Sequence, residues 1–115
     1  MNIKLLINNK ELRAKLENNQ ASREFYAQLP LELKFSDFAN KEKIAHLPTP
    51  LNTKGNILYK PQIGDLFYYV PWGNIGIFYE SQIPNNHLVF LGRIQDDLDS
   101  IKTQKTDFKI KITKE

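Results

Sequence analysis

What most constrains this chain is a series of short segments in which apolar and polar residues alternate, each cut off within a few residues by turn chemistry. Ile3, Leu5 and Ile7 fall on one side of a strand over residues 2–7, and Leu12, Ala14 and Leu16 on one side of a second over residues 11–17. Asn8, Asn9 and Lys10 separate them. Asn tolerates the left-handed backbone of a tight turn, so the pair reads as an antiparallel hairpin. Leu31, Leu33 and Phe35 alternate with Glu32, Lys34 and Ser36 in a third strand. A turn over residues 37–41 leads to a short fourth strand at residues 43–47.

The central part of the chain breaks the alternation in an informative way. LFYYV (66–70) and the segment from Asn74 to Glu80 carry apolar residues on both faces, which requires burial on both sides of the sheet. Ile75, Ile77 and Tyr79 point one way along the second of these, Gly76 and Phe78 the other. Pro71, Trp72 and Gly73 form the turn between the two strands. His87 to Ile94 and Phe108 to Ile112 supply two further strands. Two short helices interrupt the series. One is capped by Asn18 or Asn19, places Ala21, Phe25 and Leu29 on one face and ends at Pro30; the other is a single turn carrying Leu98 and Ile101, capped by Asp96 or Asp97. Residues 48–63, with Pro48, Pro50, Gly55 and Pro61, read as a long ordered loop and a candidate site wall or lid. Eight short strands, two helices and no strand–helix period predict one domain over residues 1–115, a closed antiparallel barrel.

Composition removes several function classes. With 115 residues there is room for one core. No cysteine is present, so thiolate chemistry, disulfides and cysteine metal sites are excluded. No segment approaches the ~20 apolar residues of a membrane helix, and the N-terminus lacks the pattern of a signal peptide, so a cytoplasmic protein with no membrane partner is expected. The isoelectric point near 9.1 reflects an excess spread evenly, with residues 1–40, 41–80 and 81–115 each carrying +1. A nucleic-acid surface is lopsided, so no nucleic-acid partner is expected.

His46 and His87 lack carboxylates at metal-ligand spacing, so neither a metal nor a cofactor is predicted. No serine stands in a nucleophile elbow and no glycine-rich phosphate loop is present. Asp96, Asp97 and Asp99 are explained by a helix start, where acids favour the dipole. Two features remain. Tyr59, Phe67, Tyr68, Tyr69, Trp72, Phe78 and Tyr79 put seven of the 13 aromatic residues within 21 positions, more than a core strand needs, and the face turned from the core is suited to lining a ligand pocket. Arg93, one of three arginines, sits in an apolar strand where its guanidinium must meet water, a ligand oxygen or a carboxylate such as Glu42, Asp65 or Asp96.

The segments QLPLELKFSDF (28–38), EKIAHLP (42–48), GDLFYYVPWGNIGIFYE (64–80) and LGRI (91–94) together resemble the small bacterial and archaeal cyclophilin-like proteins, with the PWGN turn between aromatic strands as the most specific part. The resemblance implies a mostly β, closed cyclophilin-like antiparallel barrel with two short flanking helices. True cyclophilins isomerise X-Pro bonds with an arginine directed at the prolyl nitrogen. Their Phe-His-Arg run and glutamine-bearing glycine-rich segment are missing here. The expectation is therefore a binding module for a small molecule or a proline-containing peptide. Its candidate ligand-binding residues are Tyr69, Trp72, Phe78, Arg93 and His46, and Arg93 is also the one candidate catalytic residue. A weak or divergent peptidyl-prolyl isomerase is the first alternative. A protein-interaction or oligomerisation domain using the same aromatic surface is the second.

Overall fold

The expected first hairpin forms in the register its alternation requires. β1 (Asn2–Ile7) and β2 (Lys10–Leu16) pair antiparallel with Leu5 opposite Leu12, and Asn8 takes the left-handed conformation at the turn, with φ 55°. The molecule is a computed structural model that describes residues 1–54 and 58–115; Gly55, part of the predicted loop, lies outside the described residues. α1 (Gln20–Ala27) follows, and Asn19 rather than Asn18 caps it, its side-chain oxygen accepting from the Ser22 N–H at 2.8 Å. The remaining strands are β3 (Leu31–Phe38), β4 (Glu42–His46), β5 (Asp65–Tyr69), β6 (Asn74–Phe78), β7 (Leu88–Ile94) and β8 (Phe108–Lys114), with α2 (Asp99–Lys102) before the last. They close into a barrel in the order β1-β2-β7-β5-β6-β4-β3-β8, with β8 paired back to β1. Every pairing is antiparallel. Closure leaves no open sheet edge.

Strand ends shift by a residue or two from the sequence reading, and three differences have a clear local reason. β3 runs on to Phe38, and the turn falls on Ala39 and Asn40, both left-handed, with the Asn40 N–H donating to Asp37 Oδ2 at 3.1 Å. β6 stops at Phe78 instead of Glu80, because the N–H groups of Tyr79 and Glu80 both turn to the Lys41 carbonyl, at 3.0 and 3.2 Å. α2 is not capped by Asp96, whose Oδ2 accepts from the Arg13 N–H at 2.7 Å and ties the loop to β2. The cap position is Leu98, without a side-chain bond, while Asp97 Oδ1 accepts from the Asp99 N–H at 2.7 Å.

Two hydrophobic clusters explain the apolar residues on both faces of β5 and β6. The barrel interior holds Ile3, Leu5, Leu12, Phe25, Phe35, Leu66, Tyr68, Ile75, Ile77, Leu91 and Ile110 among others. The outer face carries a smaller cluster of Phe67, Phe78 and Leu88, with Ile44, Tyr59 and Tyr69 packed against it. Phe67 stacks on Phe78 with ring centres 4.1 Å apart, and its ring lies directly over Gly76. A Cβ at Gly76 would stand 2.3 Å from that ring, so the glycine is what lets the outer cluster form. The long loop contributes to the inner core through Leu51, whose N–H donates to the Tyr68 hydroxyl at 3.3 Å. Among the described residues, no helix is long and apolar enough to cross a membrane.

Candidate functional site

On the outer face three side chains stand side by side across three strands. Phe38 of β3 is opposite Glu42 of β4, and Glu42 is opposite Phe78 of β6. Strand alternation explains their shared direction, since their neighbours Ala45 and Ile77 belong to the inner core. The turn between β5 and β6 then folds Trp72 over this row. Gly73 adopts φ 63° there and its N–H donates to the Tyr69 carbonyl at 3.0 Å, a left-handed position that glycine fills without strain. The Trp72 ring stands edge-on to Phe38 at 5.3 Å and 83°, and edge-on to Tyr69 at 5.3 Å and 89°. Residues 82–85 and Leu88 complete a pocket of about 300 Å³. Trp72 remains 50% exposed and Ile83 76%, an unusual display of large apolar side chains at the rim.

Glu42 is the one acid lining this pocket. Among the described residues it has neither a hydrogen bond nor an ion pair from its side chain. Burial, and secondarily the negative charge of Asp37, push its carboxyl up to about 7, so both protonation states are populated near neutrality. Neither of the lysines flanking it, Lys41 and Lys43, forms an ion pair with it among the described residues. Lys43 points to the opposite face, where it is almost fully buried, lies 3.2 Å from Asp37 Oδ1 and donates to the Gln104 carbonyl at 2.7 Å. The Tyr79 hydroxyl also donates to Asp37 Oδ1. Burial pushes the Asp37 carboxyl up, but the bonds from Tyr79 and Lys43, the Lys43 charge and the Asn40 N–H outweigh it and leave the group below its usual range. Tyr79 is pushed up to about 12, by burial first and then by its bond to Asp37. This network occupies Asp37 and Lys43 and leaves Glu42 as the acid of the pocket without a partner among the described residues.

Of the residues singled out from sequence, the structure brings Tyr69, Trp72 and Phe78 into one pocket. It does not bring Arg93 there. Arg93 pairs with Asp65 at one end of β5, whereas Tyr69, opposite Leu88, is at the other. Of the three acids open to Arg93 in the sequence, Asp65 is its partner, with Nε donating to Oδ1 at 2.6 Å. Asp65 is fully buried, and its second oxygen accepts from the Gln62 N–H at 2.8 Å. The half-exposed guanidinium lies over the Phe90 ring at 5.5 Å and lines a separate, shallower cleft with Lys15 and Glu17. His46 is exposed, pairs in the sheet with Asn74 beside the Trp72 turn, and is not among the residues lining the pocket.

Sequence reading missed Phe38 and Glu42 among the pocket residues, as well as the 82–85 segment and Leu88. Phe38 falls in a segment read as a turn, and Glu42 reads as a possible partner for Arg93. The one local signal is that Glu42 is in phase with Ile44, on the face opposite Ala45. Part of the long loop does form a wall, although of a different cavity. Asn52, Thr53, Lys54 and Tyr59 border a second space of about 300 Å³ against Asn19, Gln20 and Phe90. Among the described residues no group of three or more histidines, cysteines or acids is arranged to hold a metal ion.

A closed eight-stranded antiparallel barrel with short flanking helices and an aromatic pocket on its outer face defines the class of the molecule. The chain belongs to the Cyclophilin-like family, whose model matches residues 5–113. Its fold is similar to the solution structure of a hypothetical protein from Archaeoglobus fulgidus, with a TM-score of 0.70 and 16% identity, covering 100% of this chain and 95% of that one. At this identity the likeness establishes the fold alone. No curated protein matches the chain.

Proposed function

We propose that the protein is a ligand-binding barrel whose site is the outer-face pocket of Phe38, Glu42, Tyr69, Trp72 and Phe78, and that its ligand is a small molecule or a short peptide side chain. The observation that carries this reading is the pocket's composition, with aromatic walls and one unpaired, half-buried carboxyl at the wall formed by β4. A concave, mostly apolar space with a single polar group able to fix orientation is the usual form of a small-ligand site. Exposed Trp72 and Ile83 at the rim are surface that a bound partner would cover.

Trp72 is the sole tryptophan, so its emission reports directly on occupancy. A panel of small aromatic, alicyclic and prolyl compounds should contain members that shift Trp72 emission saturably, with the shift weakened by Phe38→Ala. A panel that leaves the emission unchanged at millimolar concentration would sink the reading.

X-Pro isomerisation is the second reading, and Glu42 is the observation that favours it. A protonated carboxyl beside a ring-sized apolar pocket is a hydrogen-bond donor of the kind that twisting of an amide requires. Arg93 is engaged by Asp65 and takes no part in this version. An exchange assay on X-Pro peptides decides it. Catalysis that survives Arg93→Ala and is lost in Glu42→Gln supports it, and no acceleration by the folded wild type excludes it.

A further inference from the structure

Taking the outer-face pocket as the binding site, we infer that its preferred occupant is a small quaternary or otherwise alkylated ammonium compound, held by the Phe38, Tyr69 and Trp72 rings and balanced by Glu42. Two independent features of the geometry support this choice of ligand. The first is the arrangement of the rings. Trp72 stands nearly perpendicular to both Phe38 and Tyr69 with ring centres 5.3 Å apart, in edge-to-face contact with each, so the three rings form one continuous aromatic lining and not a parallel stack. Aromatic faces carry partial negative charge, and a pocket lined by several rings attracts an alkylated cation, whose charge is spread over methyl groups that also pack well against rings.

The second feature is the missing counter-charge. Glu42 lines the same space and has no ion-pair partner among the described residues, while Lys43, on the opposite face of β4, is held by Asp37 and Arg93, at the far end of β5, by Asp65. The titratable and charged groups beside Glu42 in the chain and on the elements around it are Lys41, Lys43, Asp37, Tyr59, Tyr69 and Tyr79, with Glu80 beside Tyr79 and His87 beside Tyr69. Lys43 is held by Asp37, neither Lys41 nor Lys43 forms an ion pair with Glu42 among the described residues, and Glu80 has its own partner in Lys102. The pocket therefore combines an aromatic lining with one carboxyl that has no cationic partner among the described residues and is ionised in part near neutrality. A bound cation would supply the missing partner and stabilise the ionised carboxyl, so occupancy should release a proton near neutrality. Its volume of about 300 Å³ accommodates a compound the size of choline.

The test is calorimetric titration with choline and with its uncharged isostere 3,3-dimethylbutan-1-ol, which has the same shape without the charge. Choline should bind about tenfold more tightly at about pH 8, and its affinity should rise about tenfold from about pH 6 to about pH 8 as Glu42 ionises. Glu42→Gln should erase both differences, and Trp72→Ala, a change at a half-exposed turn residue, should weaken choline more than the isostere. The Trp72 variant decides the matter if Glu42→Gln does not fold. Equal binding of the two compounds by the wild type, or choline affinity unchanged in either variant, overturns the inference. If neither compound binds while uncharged ring compounds still shift Trp72 emission, the cation preference falls and the pocket reading stands. A trimethyl-lysine peptide run in parallel identifies the source of the group: tighter binding than choline assigns it to a modified chain, and weaker binding to a free metabolite.

Discussion

Arg93 and Asp65 show how one ion pair separates structural from functional chemistry. Asp65 is fully buried with its charge answered by Arg93 and by one backbone N–H, so Arg93→Ala leaves that charge without its main partner. Because the guanidinium is half exposed, the expected loss is about 3 kcal/mol, the low end for broken buried pairs, and a denaturant titration measures it. Trp72 emission and ligand binding should be unaffected in the folded fraction. Glu42 has the opposite character. Its carboxyl titrates near 7 in the folded chain and near 4.5 when unfolded, so between those values the folded state holds a proton that the unfolded chain has released. Stability is therefore highest below about pH 4.5 as far as this group is concerned, and is lost as the pH rises toward about 7. Glu42→Gln should remove that decline, leaving thermal midpoints level across the window; a decline of unchanged slope would show that another group causes it. Asp37 contributes with the reverse sign, since its lowered value gives stability that is lost as the pH falls through it.

Among the elements, β5 and β6 do two jobs at once. Their inner residues build the barrel core and their outer residues build the floor under the pocket, which is why neither strand shows a polar face. Gly76 is the hinge of this arrangement, since the Phe67 ring occupies the place of its missing side chain. Phe67 is fully buried and stacked on Phe78, so it cannot swing aside cheaply. Gly76→Ala is expected to cost about 1–3 kcal/mol by overpacking and to weaken ligand binding by displacing Phe78, both measurable by unfolding and titration of the same sample. A variant with wild-type stability and affinity would show that the outer cluster is slack.

For the molecule as a whole, closure depends on the last strand. β8 pairs with β1 on one side and β3 on the other. Ending the chain at Asp107 would strip both of a partner and expose the inner residues that Ile110 and Ile112 cover. Such a chain is expected to lose cooperative unfolding and to aggregate through its open edges, as circular dichroism and light scattering would reveal. Retained cooperative melting would place the folding unit in the first seven strands. The register of β5 with β7 explains the separation of the two clefts: Arg93 is opposite Asp65 at one end of β5, and Trp72 is in the turn that follows the other end.

Local patterning was sufficient for the strands, the first hairpin, a helix cap at Asn18 or Asn19 and the two-sided burial of β5 and β6, because each depends on residues near one another in the chain and on strand periodicity. The cluster of aromatic residues likewise marked Tyr69, Trp72 and Phe78 before any fold was known. Register was beyond its reach. Whether Arg93 met Glu42, Asp65 or Asp96 depended on which strands became neighbours, and the choice of Asp65 separated it from Trp72. Phe38 and Glu42 entered the pocket for the same reason, since β3, β4 and β6 are adjacent only in the closed barrel. Periodicity determined which residues could face outward together, but only the pairing of distant strands decided which of them share a site, because that choice is made by the packing of the whole core and by no segment alone.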